Sequence, residues 1–253
     1  MAALISNRWI ILAAGLALAA PAHAIDWNEM LKGVLGKPVS QPTASGVDAL
    51  STTDINAGLK EALARGADAA VSQLGQKDGF FGNAALKIPL PPSLQKAEKA
   101  MRMFGMGKQA DELILSMNRA AEAAVPEAKT LLVDAVKEMT LEDARGILTG
   151  GQTSATDFFR KKTETRLTER FGPIVKATTD KVGLARQYNQ YAGAAAQFNL
   201  IDRKQANVEQ YVTQQALDRL YTVIGEKEAA IRANPMQAGS DLLRKVFGAV
   251  SGK

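Results

Sequence analysis

"STTDINAGLKEALARGADAAVSQLG" occupies residues 51–75, and its apolar side chains recur three or four positions apart, at Ile55, Leu59, Leu63, Ala67, Val71 and Leu74. That spacing lines them along one face of an α-helix but would scatter them over both faces of a strand, so the stretch predicts a long amphipathic helix. Ser51 and Asp54, three apart, offer a capping box at its start. The same period returns in "PEAKTLLVDAVKEM" (residues 126–139), where Ala128, Leu131, Leu132, Ala135, Val136 and Met139 share a face and Pro126 suits a first helical turn. Between the two lies "GQKDGFFGNAALKIPLPPS" (residues 75–93), in which Pro89, Pro91 and Pro92 force an extended path and Ser93 stands where it can cap the next helix. Thr140 and Asp143 form a second capping-box pair ahead of "LEDARGIL", and further helices are predicted over 155–170, 173–182, 184–198, 208–231 and 241–247. No segment alternates apolar and polar residues long enough to make a sheet. The expected fold is all-α, a multi-helix bundle of roughly eight to ten helices.

Working outward to the N-terminus, "MAALISNRWIILAAGLALAAPAHA" has the three parts of an export signal: Arg8, an apolar run from Trp9 to Ala20, and Ala22-His23-Ala24 as a cleavage site. The apolar run is shorter than the roughly 20 residues a spanning helix needs, and no later segment approaches that length. Residues 1–24 are therefore expected to be a cleavable signal peptide, leaving a periplasmic chain without a transmembrane segment. The chain contains no cysteine, which rules out a lipoprotein anchor on the new N-terminus. Residues 25–46 read as a short amphipathic helix, "IDWNEMLKGVLG", and a Pro/Ser/Gly-rich linker, "KPVSQPTASG". A helical domain over 47–248 and a tail over 249–253 complete the expected organisation.

The one histidine is His23, inside the signal. Without it, and without cysteine, the mature chain has no Ser-His-Asp or Cys-His nucleophile arrangement, no Cys-rich zinc site and no His-ligated transition metal. Carboxylate, Lys, Tyr, Ser and Thr chemistry or oxygen-ligated Ca²⁺ or Mg²⁺ is what remains, and no particular cofactor or metal site is expected. The formal net charge of +5 falls by one with Arg8. So mild an excess, on an exported chain, does not point to nucleic acid, whereas an anionic envelope surface is within reach.

Two stretches carry the candidate binding residues. In "ILTGGQTSATDFFR" (residues 147–160), Gly150 and Gly151 can end one helix in left-handed conformations, Thr153 or Ser154 can cap the next, and Asp157 stands three residues after Ser154. Uncapped N–H groups at that helix start would attract an anion, although the stretch lacks the Lys-Ser/Thr ending and preceding strand of a phosphate loop. Beyond it, Lys162, Arg166 and Arg170 recur every four residues and share a helix face, with Glu164 and Glu169 interleaved. The candidate catalytic residues are carboxylates: Glu122 in "ELILSMNRAAEAAVPEAK", and Glu142 and Asp143 in "MTLEDARG". A glycan-cleaving enzyme needs two such groups across its substrate. Arg119, three residues before Glu122, would ordinarily form an intrahelical or interhelical ion pair with it, and that reading is preferred to the catalytic one.

The blocks "LKEALARGADAAVSQLGQKDGF", "IPLPPSLQKAEK", "ELILSMNRAAEAAVPEAK", "MTLEDARGILTGG", "ATDFFR", "YVTQQALDRLY" and "NPMQAGSDLLRKVFG", in that order, resemble the bacterial family known as domain of unknown function 4197. The resemblance covers roughly residues 50–248. It implies an exported, largely helical bacterial protein and brings no catalytic residues with it. Residues and resemblance together lead to a non-catalytic periplasmic protein, envelope-associated or binding, whose partner is an anionic envelope lipid or glycan or another envelope protein. The alternative is a carboxylate-dependent hydrolase acting on an envelope glycan.

Overall fold

A computed structural model describes residues 52–105, 107–197 and 207–234. The signal segment, the 25–46 tether, the Ser51–Asp54 capping pair and the helix expected over 241–247 lie outside the described residues or side chains. Eight α-helices follow in order: α1 (Thr52–Gly75), α2 (Pro92–Met103), α3 (Gly107–Ala124), α4 (Ala128–Lys137), α5 (Leu141–Thr149), α6 (Ser154–Thr179), α7 (Gly183–Gln197) and α8 (Val208–Ala233). Among the described residues there is no strand, and the fold is all-α.

The periodic faces are the ones buried. Leu59, Leu63, Ala67, Val71 and Leu74 carry α1 against α4 and α8, while Leu131, Leu132, Ala135 and Val136 carry α4 against α1 and α6. The two longest helices, α6 and α8, pack on each other, and α3 lies along α6. Leu113, Met117, Leu132, Phe159, Leu167, Phe171, Leu220 and Tyr221 fill the space between these helices. Leu132 is fully enclosed. Truncation to alanine deletes its contacts and leaves a cavity that helices cannot collapse into, so Leu132→Ala should lower unfolding free energy by about 3 kcal/mol in a urea titration.

The 76–91 segment is not extended throughout: it turns repeatedly up to residue 86, where the Asn83 carbonyl accepts the Leu86 and Lys87 N–H groups, and runs free of turns only over 87–91; α3 holds it. Asn118, buried on α3, accepts the Ile88 N–H at 2.8 Å and donates to the Ile88 carbonyl at 2.9 Å. These two bonds replace the ladder partner that an extended backbone would otherwise lack at Ile88, which is buried along with Phe80, Leu86 and Leu90 of the same segment.

Several local expectations are corrected. The predicted break near residue 172 does not occur: α6 runs unbroken through Pro173. Pro173 and Glu169 are both exposed, so the carbonyl that loses its N–H partner faces water, while Phe171 and Val175 keep the buried face continuous. Ser93 does not cap α2, because Pro92 is already its first residue; the Ser93 hydroxyl instead donates to the Tyr188 hydroxyl at 3.3 Å. Pro126 stands in a short 3-10 turn, Val125–Glu127, rather than in the first turn of α4. Asn207 is the cap of α8, its side chain accepting the Gln210 N–H at 2.7 Å.

Candidate functional site

At the junction of α5 and α6, Gly150 is extended, with φ −80° and ψ −178°, and neither it nor Gly151 adopts the left-handed conformation expected. Close approach explains Gly150: a Cβ there would come within 2.5 Å of the Gly146 carbonyl oxygen and 2.7 Å of the Ser154 Cβ. Thr153 is the residue before the first turn of α6, but its side chain makes no capping bond to the backbone and instead lies 3.2 Å from Asp157 Oδ2. The Ser154 hydroxyl turns back toward α5, 3.0 Å from the Ile147 carbonyl and 2.7 Å from that of Gly151.

The anion at this helix start comes from the chain itself. Glu228, on α8 and only 7 % exposed, accepts the Ala155 N–H at 3.0 Å and the Thr156 N–H at 2.9 Å, together with the Thr156 hydroxyl at 2.8 Å. A carboxylate aimed at two orphan N–H groups satisfies them and meets the positive end of the helix dipole. One turn on, Arg232 donates to Glu228 Oε1 at 2.8 Å and to the Ile147 carbonyl at 2.8 Å, so it also ties down the C-terminal end of α5. The N–H groups expected to be uncapped are therefore taken, and "ILTGGQTSATDFFR" is a joint clamped by α8. A cavity of about 30 Å³ lies beside the clamp, between Leu59 and Leu63 of α1, Phe159 of α6, and Ile224 and Ile231 of α8. It has room for about two water molecules, well short of the roughly 300 Å³ of a small ligand pocket.

Glu228 was not among the residues singled out in the sequence, although a signal for it exists: it falls on the apolar stripe Leu217, Leu220, Ile224, Ile231, where a carboxylate needs a buried partner.

Of the candidate carboxylates, Glu122 is 5 % exposed and fully engaged. One of its oxygens accepts the N–H groups of Phe80 and Phe81, both at 3.1 Å, and the other pairs with Arg119, which also reaches Asp78 at 2.7 Å. Asp143 closes the predicted capping box: its N–H donates to Thr140 Oγ1 and its Oδ2 accepts the Thr140 N–H, each at 3.1 Å. The Thr140 N–H bond holds the Asp143 carboxyl below its usual pKa, outweighing the opposing effect of burial. Glu142 is exposed in the first turn of α5. Glu142 and Asp143 thus share one end of α5, whereas Glu122 serves the 76–91 segment from α3. Among the described residues no group of three acidic side chains is arranged to hold a metal ion.

Lys162, Arg166 and Arg170 are all exposed on α6. Lys162 lies 3.8 Å from Asp143. The interleaved Glu164 does not neutralise the stripe, because it pairs with Arg160, which in turn reaches Asp218 at 3.1 Å. Among the described residues neither Arg166 nor Arg170 has an acidic partner.

The family model described as protein of unknown function DUF4197 matches residues 49–248. The chain belongs to that family. No curated protein and no solved structure matches it. The DUF4197 match spans every described helix, from α1 to α8, and no described helix is long and apolar enough to cross a membrane.

Proposed function

We propose that this DUF4197 protein is exported to the periplasm by residues 1–24 and binds anionic envelope material, lipid or glycan, without catalysis, through Lys162, Arg166 and Arg170 of its 47–248 domain. The observation that carries the reading is that Arg166 and Arg170 are exposed and lack an acidic partner among the described residues, with Lys162 one turn away. Three cations at four-residue spacing follow one face of α6 and can meet an anionic surface together. Thr153 and Ser154, expected to share the site, contribute no free helix N-terminus, since Glu228 occupies it. The binding rests on the cations alone. The hydrolase reading has less to stand on: Glu122 is committed to Phe80, Phe81 and Arg119, and Asp143 to its cap.

The test compares the parent protein with a Lys162→Gln, Arg166→Gln, Arg170→Gln variant for binding to lipopolysaccharide and to phosphatidylglycerol-containing vesicles. At low salt the variant should bind at least about tenfold more weakly, given roughly 1 kcal/mol per cation near an anionic surface, reduced by screening. Equal binding by both proteins would remove the reading. Turnover of a peptidoglycan fragment that is abolished by Glu142→Gln, with folding intact, would favour the hydrolase.

A further inference from the structure

The turn between α2 and α3 exposes two large apolar side chains side by side: Met103 is 85 % and Phe104 81 % accessible. The described residues of the turn, Phe104 and Gly105, have defined backbone geometry. Phe104 donates its N–H to the Ala100 carbonyl at 3.0 Å, and Gly105, with φ +77°, reverses the chain in a conformation that side-chain-bearing residues rarely adopt. Arg102 fastens the two helices below it, donating to Glu98 of α2 at 2.8 Å and to Asp111 of α3 at 2.7 Å. Lys99 and Lys108 flank the tip, both exposed and neither paired among the described residues.

From this arrangement we infer that the α2–α3 tip inserts Met103 and Phe104 into the interfacial region of an anionic phospholipid bilayer, with Lys99 and Lys108 against the headgroups. Apolar side chains at the apex with cations behind them match the layering of such a surface, where acyl chains lie beneath anionic headgroups. A second copy of this chain or another protein fits less well. Two side chains at a tip cover a few hundred Å² at most, whereas a stable protein interface takes about 800 Å² from each partner. Because the clamp on Arg102 fixes the turn before contact, little ordering is left to oppose insertion. The inference deepens the envelope-binding reading by naming lipid as the partner, and rests on that reading for the presence of a membrane, but it draws on different residues.

Flotation with phosphatidylethanolamine/phosphatidylglycerol vesicles tests it, using the parent protein, a Met103→Ser, Phe104→Ser variant and the Lys162, Arg166, Arg170 triple-Gln variant, each checked for helicity by circular dichroism. Both tip side chains are exposed, so their replacement should leave the fold intact. The tip variant should float at least about tenfold less than the parent, reflecting the loss of two buried apolar side chains. In Phe104→Trp, added vesicles should shift the emission of the new tryptophan to the blue, beyond any change in the parent. Equal flotation of parent and tip variant overturns the inference, and if the triple variant floats less, the basic-stripe reading survives it. A parent that binds lipopolysaccharide but no phospholipid vesicle likewise overturns the insertion while leaving the anionic-partner reading in place. Loss in the tip variant alone supports insertion and counts against the stripe.

Discussion

Glu228→Ala should lower the unfolding free energy of the helical domain by about 3–5 kcal/mol, a large share of what holds such a domain folded. Three deficits arise together. The Ala155 and Thr156 N–H groups lose their acceptor at a buried helix end, the Thr156 hydroxyl loses its own, and Arg232 is left half-enclosed without its counter-ion. Each is a polar group whose water was removed on folding and whose partner is then missing, the situation in which truncation costs most. Urea denaturation followed by circular dichroism measures the loss. Glu228→Gln should cost less, since the amide oxygen can still accept from one N–H. A change within about 0.5 kcal/mol for Glu228→Ala would mean that the clamp does not hold the α5–α6 joint.

The second large effect is expected at Glu122. Glu122→Ala should cost about 3 kcal/mol and, unlike Leu132→Ala, should open a particular place: the 76–91 segment, whose Phe80 and Phe81 N–H groups both rest on the Glu122 carboxylate. Limited proteolysis should cut there first, with Asn118 still holding Ile88. Glu142→Gln, at an exposed first-turn position, should leave stability within about 0.5 kcal/mol of the parent. Equal proteolytic patterns for parent and Glu122→Ala would show that the carboxylate is not what seats the segment.

The helices were legible because each buries one face, and the 3.6-residue period of Leu59, Leu63, Ala67 and Val71, or of Leu131, Leu132, Ala135 and Val136, needs no tertiary knowledge to read. The Thr140–Asp143 box was legible for the same reason, since both of its partners are local. The continuity of α6 was not: whether a proline breaks a helix depends on whether the freed carbonyl faces water, and only packing places Glu169 and Pro173 on the outside. The joint at Gly150 and Gly151 was recognised as a joint, but its clamp lies 72 and 73 residues away in sequence, on a helix that spacing alone cannot bring alongside. The basic stripe was visible as a pattern. That Glu164 pairs with Arg160, which also reaches Asp218 of α8, while Arg166 and Arg170 have no acidic partner among the described residues, depends on a helix that spacing alone does not bring alongside.

Binding of the parent protein and of the Lys162→Gln, Arg166→Gln, Arg170→Gln variant to anionic vesicles and to lipopolysaccharide, followed across a series of salt concentrations, addresses the proposed role of α6 most directly. Exposed cations act over roughly 8 Å at physiological ionic strength, so parent affinity should fall steadily as salt rises, while the variant should start lower and respond less. Parallel salt dependences of equal strength in the two proteins would contradict the assignment of anion binding to this face.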